Sequence, residues 1–310
     1  MGALDMGLAP GLLPGRQGSG EVPQGWVQVP PGGGMDTEEV FRRAALGGID
    51  TIIFLGADPM TDFPDGSLVE KALQKVQTII SVEALLNYTS TGADIVFPAA
   101  ATATEVNGSF TNIEGRVSPI SQKVTPPGTA RPDWMIAAEL AAQMGEDLGF
   151  VDVDEIWAEL SAVSPLHADL SPSVIHEADA EGVLLAGSSI NLGNAPESQR
   201  AAATEEGLEL VVTRKMYDGG TILNFCPSLQ ELAAGAHANI HPATLEQLGI
   251  DAGSEVTVRS DEGEVSLEAV ADAGVVEGTV AIEFNQSNAS AARLLDASRI
   301  VTKVTVEAAT

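Results

Sequence analysis

Few side chains in this protein could carry redox or metal chemistry, and their scarcity limits what it can hold. Cys226 is the one cysteine among 310 residues. A lone thiol forms no intramolecular disulfide and cannot build an iron–sulfur cluster, which needs several thiolates. Beside Pro227 it reads as a buried, inert thiol. His237 and His241 are four apart, a spacing that on one helix would turn both imidazoles toward a metal. The intervening Ala238-Asn239-Ile240 and the following Pro242 read instead as a strand entering a helix start, so no metal ligand and no catalytic residue is assigned. The loop Gly56-Ala57-Asp58-Pro59 is better placed, because it follows the strand-like run Thr51 to Leu55 where open α/β sheets take ligands beyond their strand ends.

Charge narrows the partners. With 44 acidic residues against 15 basic ones the chain carries a net charge of −29. Such a field repels nucleic-acid backbones and anionic lipid, which excludes nucleic acid as a partner. Between Glu146 and Glu209 there are 14 acidic residues and a single arginine, Arg200, read as a solvated acidic surface. A hydrophobic content of 44% with 19% charged residues belongs to a globular protein with real cores. No apolar run approaches the roughly 20 residues that cross a bilayer, so direct membrane insertion is not expected. The first residues lack a basic start and an apolar stretch, which points to a cytoplasmic address.

The elements that must position these residues fall into an ordered series. Residues 1–35, with ten glycines and five prolines, read as an irregular lead-in from a truncated domain. Residues 36–163 read as an α/β domain, in which helices beginning at Asp36 and at Pro64-Asp65 alternate with strands at Thr51 to Leu55, Thr78 to Val82 and Asp94 to Phe97. That alternation predicts parallel βαβ units with right-handed crossovers. Gly108 to Pro127 reads as a turn-rich excursion, and helices follow from Pro132 and over Val153 to Ala162. Residues 164–207 read as an acidic linker with one strand at Val183 to Ala186. Residues 208–310 change to period two, with strands at Leu208 to Thr213, Glu255 to Arg259, Val265 to Ala269, Val280 to Phe284 and Ile300 to Val306 and one helix, Pro242 to Leu248. Short strands around one helix predict a small closed barrel, which leaves no edge unpaired.

In order and spacing, Gly92-Ala93-Asp94-Ile95-Val96-Phe97-Pro98-Ala99-Ala100, Glu105, Gly108 to Val117 and Pro126 to Trp134 resemble the molybdopterin oxidoreductase superfamily. His241 to Thr244, Leu248-Gly249-Ile250 and Asp251 to Val256 resemble that family's carboxy-terminal molybdopterin-dinucleotide-binding domain, a double-psi β-barrel. The likeness covers residues 36–145 and 208–307. Gly2 to Gly7, Pro10 to Gly15 and Thr213 to Thr221 resemble most closely the carboxy-terminal half of the large iron–sulfur subunit of NADH-quinone oxidoreductase, respiratory complex I.

That resemblance implies a truncated chain whose molybdopterin-type fold is vestigial and serves as non-catalytic scaffold in respiratory electron transport. It implies no cofactor in this chain and iron–sulfur clusters only in an absent amino-terminal region. The implied partners are other peripheral-arm subunits of complex I, at the inner face of the plasma membrane. An alternative is the cofactor-binding half of a molybdopterin-dependent enzyme such as a formate dehydrogenase. Molybdopterin dinucleotide would then be held by Gly56, Asp58, Arg116, Arg214, Lys215, Tyr217 and Thr221. Catalytic relatives more often present His and Thr where this chain has Tyr217-Asp218-Gly219-Gly220, and Asp58 and Asp218 sit badly beside two phosphates unless Arg214 or Lys215 offsets them. A third reading is a free-standing acidic binding module. Arg116 and Arg131 could clamp phosphate, but Glu114 and Asp133 beside them favour ordinary ion pairs. Asn107 and Asn112 read as turn formers, and Phe110, Trp134 and Trp157 as core anchors.

Overall fold

The computed structural model describes residues 1–18, 22–23, 25–26, 28–29, 33–102, 104–178, 181–185 and 207–309. The chain forms two compact units, Met1–Val40 with Phe97–Pro196, and Phe41–Val96 with Glu197–Thr310.

In the second unit the apolar run Thr51–Leu55 pairs in parallel with Thr78–Glu83, Ile52 opposite Ile79 and Phe54 opposite Ser81. Ile95–Pro98 completes the three-stranded sheet beside Thr78–Glu83. Helix Gly66–Leu73 begins where the Asp65 carboxylate accepts the Leu68 N–H, and it buries Val69 and Ala72. A short helix, Tyr88–Thr91, starts where the Asn87 side chain accepts the Ser90 N–H. Strand Thr51–Leu55, apolar enough to be buried on both faces, is covered on one: Ile52 and Phe54 are buried while Ile53 is 49% and Leu55 64% exposed.

The same unit holds a closed six-stranded barrel ordered Ala238–Ile240, Glu264–Ala271, Glu255–Arg259, Lys303–Ala308, Leu208–Thr213 and Thr279–Glu283. Alternating residues fill it: Ile240, Val256, Val258, Ala269, Val280 and Ile282 are wholly inaccessible. Helix Pro242–Leu248 is stopped by Gly249 in the left-handed conformation, φ 67°. The last strand begins at Lys303, not at Ile300, which is exposed.

The first unit contains a hairpin, Gly108–Thr111 with Arg116–Ile120, and helices Asp133–Gln143 and Val153–Val163. Much of the stretch whose composition reads as linker is ordered here. Pro165–His167 makes a 3₁₀ turn, Pro172–Glu177 a helix, and Val183–Leu184 a strand on the hairpin. Val117, Trp157, Leu170, Ile175 and Leu185 form their shared core. Isolated apolar residues among Pro, Ser and acids give no period in the sequence, yet Leu170, Ile175 and Leu185 share one buried cluster with Trp157. Ala186 and Arg200 lie outside the described residues.

Residues 1–18 of the Gly/Pro-rich lead-in are also tied down. Asp5 is fully buried, its Oδ1 accepting from Arg16 Nε at 2.6 Å, and Gln17 donates to the Val163 carbonyl at 2.9 Å. Below them His167, 1% exposed, meets the Ser164 hydroxyl through Nδ1 at 2.6 Å. Burial holds the His167 imidazole below its ordinary pKa, the nearby Asp5 opposing and Arg16 reinforcing that shift.

Candidate functional site

Strand Thr51–Leu55 ends at Gly56, which turns the chain with φ 58°, a conformation side chains resist, although a Cβ there would meet open space. Pro59 then starts the short helix Pro59–Asp62 and leaves Asp58 facing inward, 6% exposed. Its carboxylate is saturated by four donors. Oδ1 accepts from the Thr89 N–H at 3.0 Å and the Thr89 hydroxyl at 2.5 Å. Oδ2 accepts from Thr61 Oγ1 at 2.7 Å and Thr221 Oγ1 at 3.0 Å. Since Thr221 comes from the loop after barrel strand Leu208–Thr213, Asp58 joins the sheet loop to the barrel loop.

The barrel loop brings the two cations in reach. Arg214 lies 4.8 Å from the centroid of the Phe284 ring, with Asp62 at 3.5 Å and Asp218 at 3.9 Å. Lys215 stands 3.9 Å from Glu283. Tyr217 is part-exposed, and its carbonyl accepts from Gln286 Nε2 at 3.3 Å. Gly219 is needed for packing, because a Cβ there would come within 2.9 Å of the Asn285 carbonyl. Asn285 itself is strained, with φ 57°, 6% exposure and no partner for Nδ2.

The structure thus brings together Gly56, Asp58, Arg214, Lys215, Tyr217 and Thr221 in one unit. Arg116 belongs to the other unit and pairs with Glu114 at 3.3 Å. Arg131 pairs with Glu139, not with the Asp133 neighbour suggested by spacing, and the Asp133 carboxyl is pushed up by burial. Asn112 accepts the Glu114 and Arg116 N–H groups, and Asn107 that of Gln122, as turn formers do. Trp157 is a core residue, but Phe110 is 51% exposed and anchors nothing. Cys226 is half-buried at the start of Pro227–Gln230, 3.6 Å from Ser228 Oγ, so the expectation of a buried thiol is corrected. A strand separates His237 from His241, and among the described residues no group of three metal-ligating side chains occurs.

Sequence reasoning missed Thr61, Asp62, Thr89, Glu283 and Asn285. Asn285 left one trace, as asparagine is among the residues that tolerate left-handed backbone. Thr89, Asp62 and Glu283 gave none, since pairing across 31 or more residues has no local period, whereas Thr61 bonds Asp58 only three residues away.

These contacts decide whether a dinucleotide fits. Three carboxylates, Asp62, Asp218 and Glu283, face two cations, and each cation already lies within 4.0 Å of a carboxylate. Asp58 has no donor capacity and no free acceptor position. A pyrophosphate would have to displace Asp62 and Asp218 from Arg214 while facing their charge, so these residues as arranged do not fit it.

A parallel α/β sheet whose loop is bound to a closed mixed barrel defines a fold of the molybdopterin-enzyme type. Comparison with known families agrees: "Molybdopterin oxidoreductase" matches residues 26–143 and "Molydopterin dinucleotide binding domain" residues 208–308. The chain thus carries a molybdopterin oxidoreductase segment and a molydopterin dinucleotide binding domain. It is 31% identical over 275 residues to NADPH-Fe(3+) oxidoreductase subunit alpha of Geobacter sulfurreducens, covering 87% of this chain and 31% of that protein. It is 31% identical over 313 residues to F420-dependent formate dehydrogenase 2 subunit alpha of Methanococcus maripaludis, covering 92% and 46%. With the G 2 subunit of the NADH-quinone oxidoreductase of Rhizobium meliloti the identity is 27% over 293 residues, covering 92% and 34%. The chain therefore spans about a third to a half of the length of these relatives. The solved structure of acetylene hydratase from Pelobacter acetylenicus shares the fold, with a TM-score of 0.60 at 15% identity over 89% of this chain and 47% of the other. Among the described residues no helix is long and apolar enough to cross a membrane.

Proposed function

We propose that this chain is a structural, non-catalytic portion of the large iron–sulfur subunit of a proton-pumping NADH-quinone oxidoreductase. In this reading its molybdopterin-type shell is retained as scaffold, and its partners are the other peripheral-arm subunits at the inner face of the membrane. One observation carries the reading: the loops that would meet a dinucleotide are closed on each other by Asp58, and their cations are spent on neighbouring carboxylates. The lone Cys226 supports it, because cluster ligands would have to come from other residues of the assembly. The likeness to the Rhizobium meliloti NADH-quinone oxidoreductase protein supports the choice of assembly. Asp58 and Thr221 then act as ties, and Arg214 and Lys215 as local neutralisers. The test is metal and pterin analysis of the protein purified in its native assembly. Molybdenum, tungsten and pterin well below one per chain are expected, and a molar equivalent bound by this chain overturns the reading.

A second reading, the cofactor-binding half of a formate dehydrogenase-like enzyme, is favoured by the 31% identity to a formate dehydrogenase alpha subunit and by the unpartnered Asn285 amide. It requires Arg214 to exchange Asp62 for phosphate, with Gly56, Lys215, Tyr217 and Thr221 around it. The native assembly would then reduce a viologen dye with formate, and Arg214→Met would lower its pterin content. NADH-dependent quinone reduction without formate activity favours the first reading.

A further inference from the structure

The compact unit holding residues 97–196 contains a cavity of about 680 Å³ that none of the candidate loop residues lines. Its volume is in the range of ligand and side-chain pockets. The wall is built from the hairpin Gly108–Thr111 and Arg116–Ile120, the first turns of helices Asp133–Gln143 and Val153–Val163, and helix Pro172–Glu177. Two indoles, Trp134 and Trp157, give it an aromatic side, and Trp157 is fixed by the core behind it.

Charge along this wall has one sign. Glu105, Asp152 and Asp154 line it, and among its lining residues there is no lysine or arginine, only the imidazole of His176. Two of the carboxylates are held in place by backbone donors: Glu105 accepts the Ala101 N–H at 2.7 Å and Asp152 the Glu155 N–H at 3.0 Å. No salt bridge among the described residues neutralises any of the three. An aromatic wall edged by fixed, unneutralised carboxylates suits a cation with an apolar body, above all a guanidinium, which stacks on indole and bonds carboxylate at once. The lining has an exposed apolar margin, Val151 being 75% and Met135 36% exposed. A small cation would leave that margin bare, whereas a polypeptide segment running out of the cavity would cover it.

We infer that this cavity is a docking site for a basic, apolar-flanked segment of a partner protein, its Arg or Lys head set among Glu105, Asp152 and Asp154 against Trp134. The site is independent of the loop cluster around Asp58 and of the function proposed from it.

The test is titration of the full chain with an end-blocked Leu-Arg-Leu-Arg-Leu peptide, read by tryptophan emission and by calorimetry. Saturable binding is expected, with the glutamine analogue at least about tenfold weaker and affinity falling as salt is raised. Asp154→Asn should weaken binding about threefold and Trp134→Leu about fivefold or more, while Trp134→Phe retains most of it. Glu268→Gln, an exposed barrel position, is the control for diffuse attraction by the net charge of −29 and should change nothing. Circular dichroism of each variant separates lost binding from lost folding. Equal binding of the arginine and glutamine peptides overturns the inference. So does equal weakening by Glu268→Gln and Asp154→Asn, which would make the attraction diffuse, or binding of free arginine amide as tight as that of the peptide, which would make the cavity a small-cation site.

Discussion

Removing the Asp58 carboxylate should loosen both loops at once. In Asp58→Ala the Thr89 N–H, on a residue 2% exposed, loses its acceptor at 3.0 Å. An orphaned buried N–H costs about 1–3 kcal/mol. The Thr89, Thr61 and Thr221 hydroxyls each lose an acceptor too; the last two are only part-buried and can turn toward solvent, so about 0.5–1 kcal/mol each is reasonable. Relief from burying a carboxylate offsets part of this, which leaves a net loss of about 3–5 kcal/mol, the usual cost of breaking one side of a buried charged network. Asp58→Asn, which keeps one carbonyl acceptor, should cost about half as much, and Thr221→Val about 1 kcal/mol. The sharpest assay is amide exchange at Thr89, read beside calorimetric unfolding of the whole chain. Each 1.4 kcal/mol is tenfold, so Asp58→Ala should speed exchange there by roughly a hundredfold or more. Exchange within about threefold of the parent protein, with unchanged unfolding, would refute the assignment of Asp58 as the tie between sheet and barrel.

Other expectations follow from the same contacts. His167 has a folded pKa below its ordinary 6.5, so the unfolded chain binds the extra proton first and stability falls as pH drops below about 6.5 toward the folded value; His167→Gln should flatten that slope in melts taken between pH 7 and 5. Gly219→Ala drives a Cβ to 2.9 Å from the Asn285 carbonyl and should cost about 2 kcal/mol or more, while Gly56→Ala meets open space and should cost only the left-handed penalty of about 1 kcal/mol in urea unfolding. Asp62→Asn with Asp218→Asn frees Arg214 of both partners, and should raise affinity for inorganic pyrophosphate about tenfold by calorimetry; no gain would mean that those charges are not what disfavours an anion.

The fold was more legible in the sequence than the site, and the reason lies in range. Val256 and Val258 alternate with polar neighbours because a strand's side-chain period is two, and the barrel interior follows directly. Thr51–Leu55 was equally plain as a strand, though its one bare face was not, since an apolar run does not say what lies against it. The helix Pro172–Glu177 gave no such signal, because Leu170 and Ile175 bury themselves singly, with no repeat to mark them. Asp58, Arg214 and Thr221 could be singled out by their loops, but their partners could not. Nothing local tells that Thr89 will meet Asp58, or that Glu283 will meet Lys215. Phe110 shows the converse error, in which residue type suggested an anchor and the hairpin edge turned it outward.

Shell and loops answer to different constraints, and that separation gives the loop chemistry its weight. The barrel closes through Ile240, Val256, Val280 and Ile282, all wholly inaccessible and indifferent to what the loops bind. The likeness to known domains, carried by that shell, therefore implies an arrangement of loops and not their contents. Those contents are acidic at the places where a doubly charged anion would need donors. An acidic chain could have spent its excess on solvated faces alone. That it also places carboxylates within 4.0 Å of both nearby cations, and saturates a buried one with four donors, is what the scaffold reading explains and a bare charge count does not.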